Sequence, residues 1–401
     1  MSCQDLSGES LYQFRHAVLL LLIGELYGLN TFKKILDTVG ISSRNCYKVW
    51  GKFTYKQLHG YISDYLEMQF KESFEELCSK SESSWSRSEV TMMIDESIFK
   101  TWLQNDLENQ SFSDYFGKYF SGQTHKTEYG FRYSLSGISI GNDFYPLYLS
   151  PIKKGEKCIV EAVKSVKKME ALVRQSSEKQ DFIIPNIALS VDSSYNNEAL
   201  MDACDNLETN TNFICVPKKN HNVRIGKFKG NLTTYIENNY LNKESQDNAF
   251  VLRKRGYYNC KNREVVFLFF RFNGSSKVSV IYSTNLLIKA KTLRRRWFHR
   301  TKIEHFFRKL KDTLKVQQST ADRCEAFFKK VSLFVLKAVF ITRFQNYCKK
   351  EFNGLTFWKL RQKIIYNHCD LSVIFDQFEK GGFCKKSTLQ NAKNQYFANI
   401  R

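Results

Sequence analysis

"VTMMIDESIF", residues 90–99, is the stretch on which the fold turns. Its opening is a near-continuous apolar run, as expected of a strand buried on both faces, and the run gives way to a carboxylate, Asp95. Toward the C-terminus, "YGFRYSLSGISIG" and "DFYPLYLSP" read as two further strands, with Gly, Asn and Asp between them supplying a turn. "CIVEAVKSVKKMEALVRQ", residues 158–175, has helical periodicity. "NIALSVDSSYNN" is a second apolar strand ending in a carboxylate, Asp192. A short helix at 196–206 then leads to the strand "NFICVPKK". Strands followed by alternating helices and strands predict a mixed α/β layout.

From about residue 228 to 286 the pattern turns mainly β. "AFVLRKRGYY", "EVVFLFFRF" and "KVSVIYSTNL" are separated by "NCKN" and "NGSS" turns. On the other side of the opening stretch, the Ser- and charge-rich "SKSESSWSRSE" at 79–89 predicts a linker. Residues 10–77 before it read as helical. Within them "TFKKILDTVGISSRNCYKVWGKF" resembles a helix-turn-helix, with Gly40 at the turn and Ser42 or Ser43 as N-cap. This stretch is locally basic, carrying Lys33, Lys34, Arg44, Lys48, Lys52 and Lys56 against Asp37, and an ordinary helical hairpin fits it equally well. Residues 327–348 predict a strongly apolar helix, and the tail beyond 352 reads as helical and basic.

The 401 residues suffice for two or three domains and a sizeable core. Their net charge is +21, unevenly spread: residues 1–110 carry 11 Lys/Arg against 15 Asp/Glu, leaving +25 on the remainder. Such an excess points to a large polyanionic partner, nucleic acid first. The longest apolar run, "AVLLLLIG" at 17–24, is too short to span a bilayer, so no membrane partner is expected. Eleven scattered cysteines without a C-x-x-C pair signal neither a disulfide framework nor a zinc site, and suit a reducing, cytoplasmic compartment. Seven dispersed histidines add no metal-binding pattern.

The chemistry concentrates in "RRRWFHRTKIEHFFRKLK", residues 294–311, where eight Lys or Arg surround one acid, Glu304. On a helix beginning near 297, at about 100° per residue, Trp297, Arg300, Arg308 and Lys311 share a seam with Glu304. Ile303, Phe307, Leu310 and Leu314 form an adjoining apolar stripe that packs on a core. A salt bridge from Glu304 to Arg300 or Arg308 would account for the acid by itself. It would leave the two strand-end aspartates and the basic surround unexplained. Either aspartate alone could simply cap the next turn.

"WFHRTKIEHFFRKLK" is similar to the Tyr-x2-Arg-x3-Glu-x6-Lys signature of bacterial insertion-sequence transposases with a DDE triad. Arg300, Glu304 and Lys311 match in identity and spacing, while Trp297 stands where the family has Tyr. "MMIDES" and "LSVDSSYN" resemble the two Asp motifs, with 96 residues between Asp95 and Asp192 and 111 between Asp192 and Glu304. The resemblance covers roughly 90–320 and implies a ribonuclease-H-like mixed sheet flanked by helices and interrupted by a mostly β insertion. The expected division is a helical domain at 1–88, the core at 89–227 and 287–326 around an insertion at 228–286, and a helical C-terminal region at 327–401.

The resemblance also implies function. Asp95, Asp192 and Glu304 would hold two Mg²⁺ ions, with Mn²⁺ as substitute. Oxygen ligands suit such hard cations, and the ions would stabilise the attacking and leaving oxygens at phosphorus. Water, then a freed 3′-hydroxyl, would be the nucleophiles, cutting transposon ends and joining them to target DNA. Trp297, Arg300, Arg308 and Lys311 would contact DNA, and a homodimer would assemble on the paired terminal inverted repeats. Two other readings stay open: another ribonuclease-H-like nuclease, and a domesticated, inactive DNA-binding protein.

Overall fold

A computed structural model describes residues 53–79, 90–101, 112–121, 125–141, 143–179, 186–218, 220–241, 249–258, 263–272, 275, 277–318 and 323–347. All but the last residue of the helix-turn-helix stretch, all but the first residue of the Ser-rich linker, and the C-terminal tail lie outside them. The chain divides into two compact units. Residues 63–324 lie in one, and 53–62 and 325–347 belong to the other.

In chain order the elements are α1 (Tyr55–Ser79), β1 (Val90–Lys100), β2 (Phe116–Ser121), β3 (Lys126–Ile140), β4 (Asp143–Ile152), α2 (Cys158–Glu178) and β5 (Ile187–Val191). Next come α3 (Glu198–Asp205), β6 (Asn212–Cys215), β7 (Asn222–Ile225), β8 (Phe228–Asn231) and α4 (Leu232–Ile236). They are followed by β9 (Phe250–Tyr258), β10 (Arg263–Arg271), β11 (Ser279–Ser283), α5 (Ala290–His299), α6 (Thr301–Arg308) and α7 (Cys324–Tyr347).

The strands form one mixed sheet in the order β2-β3-β1-β5-β6-β11-β10-β9-β7-β8, with β4 also paired to β3. β3 runs antiparallel to β1 and β4, β5 runs parallel to β1, and β6 runs parallel to β5. β11 joins β6 antiparallel, so the strands after residue 249 extend the same sheet. Val90, Met92, Met93 and Ile94 of β1 are fully buried, as a strand covered on both faces requires. Each such side chain contributes about 1.5–3 kcal/mol by leaving water.

Helices cover both faces. On one, Val90, Met92 and Ile94 of β1 and Ile187, Leu189 and Val191 of β5 share a core with Ala162, Val166, Met169 and Val173 of α2 and Leu200 of α3. On the other, Ala188, Ile214, Val266, Leu268, Phe270 and Ile281 pack with Ile288 and with Leu293 of α5. α6 adds Phe307, whose ring lies 6.1 Å from Phe99, and Phe306, 5.7 Å from Phe144. The protein is therefore a mixed α/β structure with a large mixed sheet flanked by helices.

Three local features depart from the sequence reading. β2 and β7 are additional strands, β2 paired to the first half of β3 and β7 to β8 and β9. Residues 232–241 are helical within a stretch read as mainly β, because the Asn231 side chain caps Thr233 N–H at 2.8 Å and Leu232, Tyr235 and Ile236 bury one helical face. The signature helix begins at Ala290 rather than near 297, and tightens at Arg300 into a second segment.

In the other unit, the Tyr55 N–H donates to the Glu325 carboxylate at 2.9 Å, and the Tyr55 ring lies 5.2 Å from Phe328. Phe327, Val331, Val335 and Ala338 bury one face of α7. No described helix is long and apolar enough to cross a membrane.

Candidate active site on β1 and at the carboxyl end of β5

The sheet register places the two aspartates. β1 and β5 are parallel, and their last paired residues are Ile94 and Val191. Asp95 and Asp192 are the next residues. Asp192 follows the end of β5 as expected, whereas Asp95 is not at a strand end, because β1 continues to Lys100 in pairing with β3. Strand alternation turns Val90, Met92 and Ile94 toward α2, which puts Asp95 on the α5–α6 face together with Phe99.

Both aspartates also bond the backbone beside them. Asp95 Oδ1 accepts from Glu96 N–H at 2.9 Å, and Asp192 Oδ1 accepts from Ser193 N–H at 2.6 Å. The second bond caps a single 3₁₀ turn, Ser193–Tyr195, which leads to Asn197, the N-cap of α3. The capping role weighed from the sequence is thus real for Asp192, and it leaves the other carboxylate oxygen uncommitted to that bond.

Glu304 arrives from α6. Arg300 stands at the junction with α5, where its N–H bonds Trp297 O at 3.0 Å and its carbonyl accepts from Ile303 N–H at 3.2 Å. Its guanidinium donates to the Glu304 carboxylate one turn on and lies 3.7 Å from Asp95 Oδ2. It also covers the Trp297 indole, 4.9 Å from the ring centroid. Trp297 is half-buried against the Ala188–Ile214–Leu268 cluster. One guanidinium therefore gathers an acid from α6, an acid from β1 and an aromatic platform.

Burial pushes the Asp95 carboxyl up to about 7; Arg300 and the Glu96 N–H oppose this, while Asp192 and Glu304 add to it. Burial is the leading cause, and Arg300 opposes it more strongly than either neighbouring acid adds to it. Among the described residues, no three His, Cys, Asp or Glu side chains are already gathered at metal-ligand spacing. The donor set nonetheless suits a hard divalent cation, since it is all carboxylate oxygen around a place now served by a cationic side chain. Arg300 Nε is buried and unpartnered, which leaves an unspent donor suited to an anionic ligand.

The other signature residues divide. Lys311 lies in a π-helical turn, Lys309–Thr313, with its ammonium 5.8 Å from the Phe99 ring, and burial lowers its pKa. Its ammonium thus lies along β1, beyond Asp95 in the strand. Arg308 is exposed. The expected apolar stripe is buried throughout: Ile303, Phe307, Leu310 and Leu314.

Two features escaped the sequence reading. Lys302 Nζ donates to Ser139 Oγ and the Gly141 carbonyl, both at 2.6 Å, and ties α6 to the end of β3; burial lowers its pKa to about 8. Behind Asp192, Asn196 bonds Tyr258 and Tyr282. Asn196 lies inside the quoted "VDSSYNN", yet its partners are 62 and 86 residues away, and no local signal connects them.

No family model and no curated protein matches the chain. Among solved structures, the cryo-EM structure of a piggyBac transposase synaptic complex with hairpin DNA is similar over 76% of this chain and 57% of that chain, with 10% sequence identity and a TM-score of 0.37. The chain thus spans little more than half the length of that transposase.

Proposed function

We propose that the protein is a DNA transposase of the DDE type, in which Asp95, Asp192 and Glu304 hold divalent cations, Mg²⁺ or Mn²⁺, and cut and rejoin DNA. The observation that carries the reading is the convergence of acids from β1 and α6 on Arg300, with Asp192 on the strand beside Asp95. The strand arrangement supports it. In β4-β3-β1-β5-β6, three antiparallel neighbours are followed by two strands parallel to β1, the layout of a ribonuclease-H-like core. In that reading β9–β11 belong to the β insertion.

The cations, when bound, would stabilise developing charge on the oxygens of an in-line displacement at phosphorus. The chain's own groups do the rest. Arg300 and Lys311 hold phosphates flanking the scissile bond, and Lys302 fixes α6 against β3. Trp297 carries Arg300 on its ring, beside the DNA end. The basic excess after residue 110 recruits duplex DNA, transposon end and target alike, and a homodimer brings two ends together.

The test uses the full-length protein and a plasmid carrying its gene with the flanking DNA, in Mg²⁺. Glu304→Gln and Asp192→Asn should each lose strand cleavage by orders of magnitude while retaining DNA binding, because a carboxylate near phosphate contributes repulsion, not affinity. Near-normal cutting by Glu304→Gln would reduce Glu304 to a salt-bridge partner of Arg300.

A further inference from the structure

The turn that carries Asp192 is joined by its side chains to strands far along the chain. Asn196 closes that turn. Its Nδ2 donates to the Tyr258 hydroxyl at 2.6 Å, and its Oδ1 accepts from the Tyr282 hydroxyl at 2.9 Å. Tyr258 is the last residue of β9, and Tyr282 lies in β11. Their rings stack at 4.7 Å, and both are buried. Beneath them the Cys215 thiol donates toward the Asp192 carbonyl at 3.2 Å, which also accepts Tyr195 N–H at 3.0 Å.

The donor and acceptor count fixes the direction of this network. A phenol oxygen has one proton to give and two lone pairs to receive with. The Tyr258 oxygen receives Asn196 Nδ2–H and, at 3.1 Å, the backbone N–H of Lys218. Neither group can accept. The Tyr258 proton must therefore go to its third neighbour, His221 Nδ1, at 2.7 Å. His221 then carries its proton on Nε2, and the chain of donors runs Tyr282 to Asn196 to Tyr258 to His221. The Asn196 amide takes its orientation from the Val216 carbonyl, an acceptor only, which lies 3.5 Å from Nδ2, and the Lys218 N–H supplies the second fixed donor to Tyr258.

We propose that Asn196, locked by Tyr258 and Tyr282, is the positioning residue of Asp192. It fixes the turn Asp192–Asn196 against β9 and β11, so that the carboxylate is presented beside Asp95. The strands that extend the sheet past β6 thereby brace an acid of the site. The proposal rests on the reading of Asp192 as a cation ligand.

The experiment is a Mn²⁺ titration of the full-length protein, followed by electron paramagnetic resonance without DNA, well below each variant's melting temperature. Outer partners of metal ligands typically govern affinity by about 10–100-fold. Asn196→Ala and Tyr258→Phe should therefore weaken Mn²⁺ binding about tenfold or more, and Asp192→Asn should abolish the site. Lower melting temperatures alone would fit a merely structural role, so the affinity of the folded protein decides. Where one of these variants does not fold, Tyr282→Phe, which deletes one hydroxyl and leaves Tyr258 in place, takes its part.

If Asp192→Asn destroys binding while the network variants bind Mn²⁺ like the parent, positioning is overturned and the ligand reading stands. If Asp192→Asn binds like the parent, the ligand reading itself fails. Independently, ¹⁵N NMR of the His221 ring at neutral pH should show Nδ1 bare and Nε2 protonated. A proton on Nδ1 would overturn the direction of the network.

Discussion

Replacing Trp297 by Ala separates two duties of that side chain. The indole is half-buried on the cluster around Ala188, Ile214 and Leu268, and it carries the Arg300 guanidinium at 4.9 Å from its centroid. Truncating a fully buried Phe or Trp costs about 3–5 kcal/mol. A half-buried one should lose about half of that, roughly 2 kcal/mol. A cation over an aromatic face adds about 0.5–1 kcal/mol when exposed and about 2 when desolvated. Arg300 is only 14% exposed, so the upper part of that range applies. The expected destabilisation of Trp297→Ala is then about 4 kcal/mol, against under about 1.5 for Trp297→Phe, which keeps a ring under the guanidinium.

Urea melts monitored by circular dichroism measure the loss, and a double-mutant cycle with Arg300→Ala isolates the coupling. The coupling should be about 1 kcal/mol or more. A Trp297→Ala loss below about 0.5 kcal/mol, in the range of ordinary surface substitutions, would show that the indole does not support the site. It would leave DNA contact as its main work. Strictly additive single losses would show that Arg300 does not rest on it.

The remaining predictions concern the surface and the sheet. DNA affinity, read by fluorescence anisotropy, should fall steeply between about 50 and 200 mM salt as neutralised phosphates release counterions; a salt-independent affinity would rule out a phosphate-binding surface. Gly130→Ala should unfold the protein or strip it of activity. A Cβ there meets the Phe99 carbonyl oxygen across the β1–β3 pair, and backbone cannot step aside as a side chain can. A Gly130→Ala protein melting within a few degrees of the parent would contradict the register that places Asp95.

The parts of the fold legible in the sequence are those where one local pattern decides. β5, β6 and the first half of β1 are short apolar runs, whereas the continuation of β1 past Asp95 depends on its pairing with β3. α2 has a clean helical period, and β9–β11 are separated by turn residues. The apolar stripe Ile303–Phe307–Leu310–Leu314 was legible for the same reason. β2 was not: "FGKYFS" mixes Gly and Lys with aromatics and is a strand by virtue of pairing with β3. The first turns of α5 were hidden because "AKTLRRR" offers a single fully buried apolar anchor, Leu293. In the site, spacing brought Arg300 and Glu304 together, since i and i+4 share a helical face. The reach of Arg300 to Asp95 was beyond any spacing rule, because it depends on the tertiary packing of α6 on the sheet.

That reach bears on the single acid among the basic residues of 294–311. A chain of net charge +21 attracts a polyanion from a distance, yet one guanidinium holds Asp95 and Glu304, with Asp192 just past the strand beside Asp95. Two unit charges of like sign about 4 Å apart repel by roughly 4 kcal/mol at the effective dielectric of a protein surface. A phosphate brought against uncompensated carboxylates would meet that penalty, whatever the surround contributes. Arg300 is a single cation beside the carboxylates of Asp95 and Glu304 and relieves only part of it. In the proposed reading, then, the basic surface and the acidic centre are complementary. The first brings DNA in, and the second keeps its backbone from closing on the carboxylates until a cation lies between them. In that reading a Lys or Arg at position 304 would ease the repulsion and abolish the site, because it would remove an oxygen ligand from the cation.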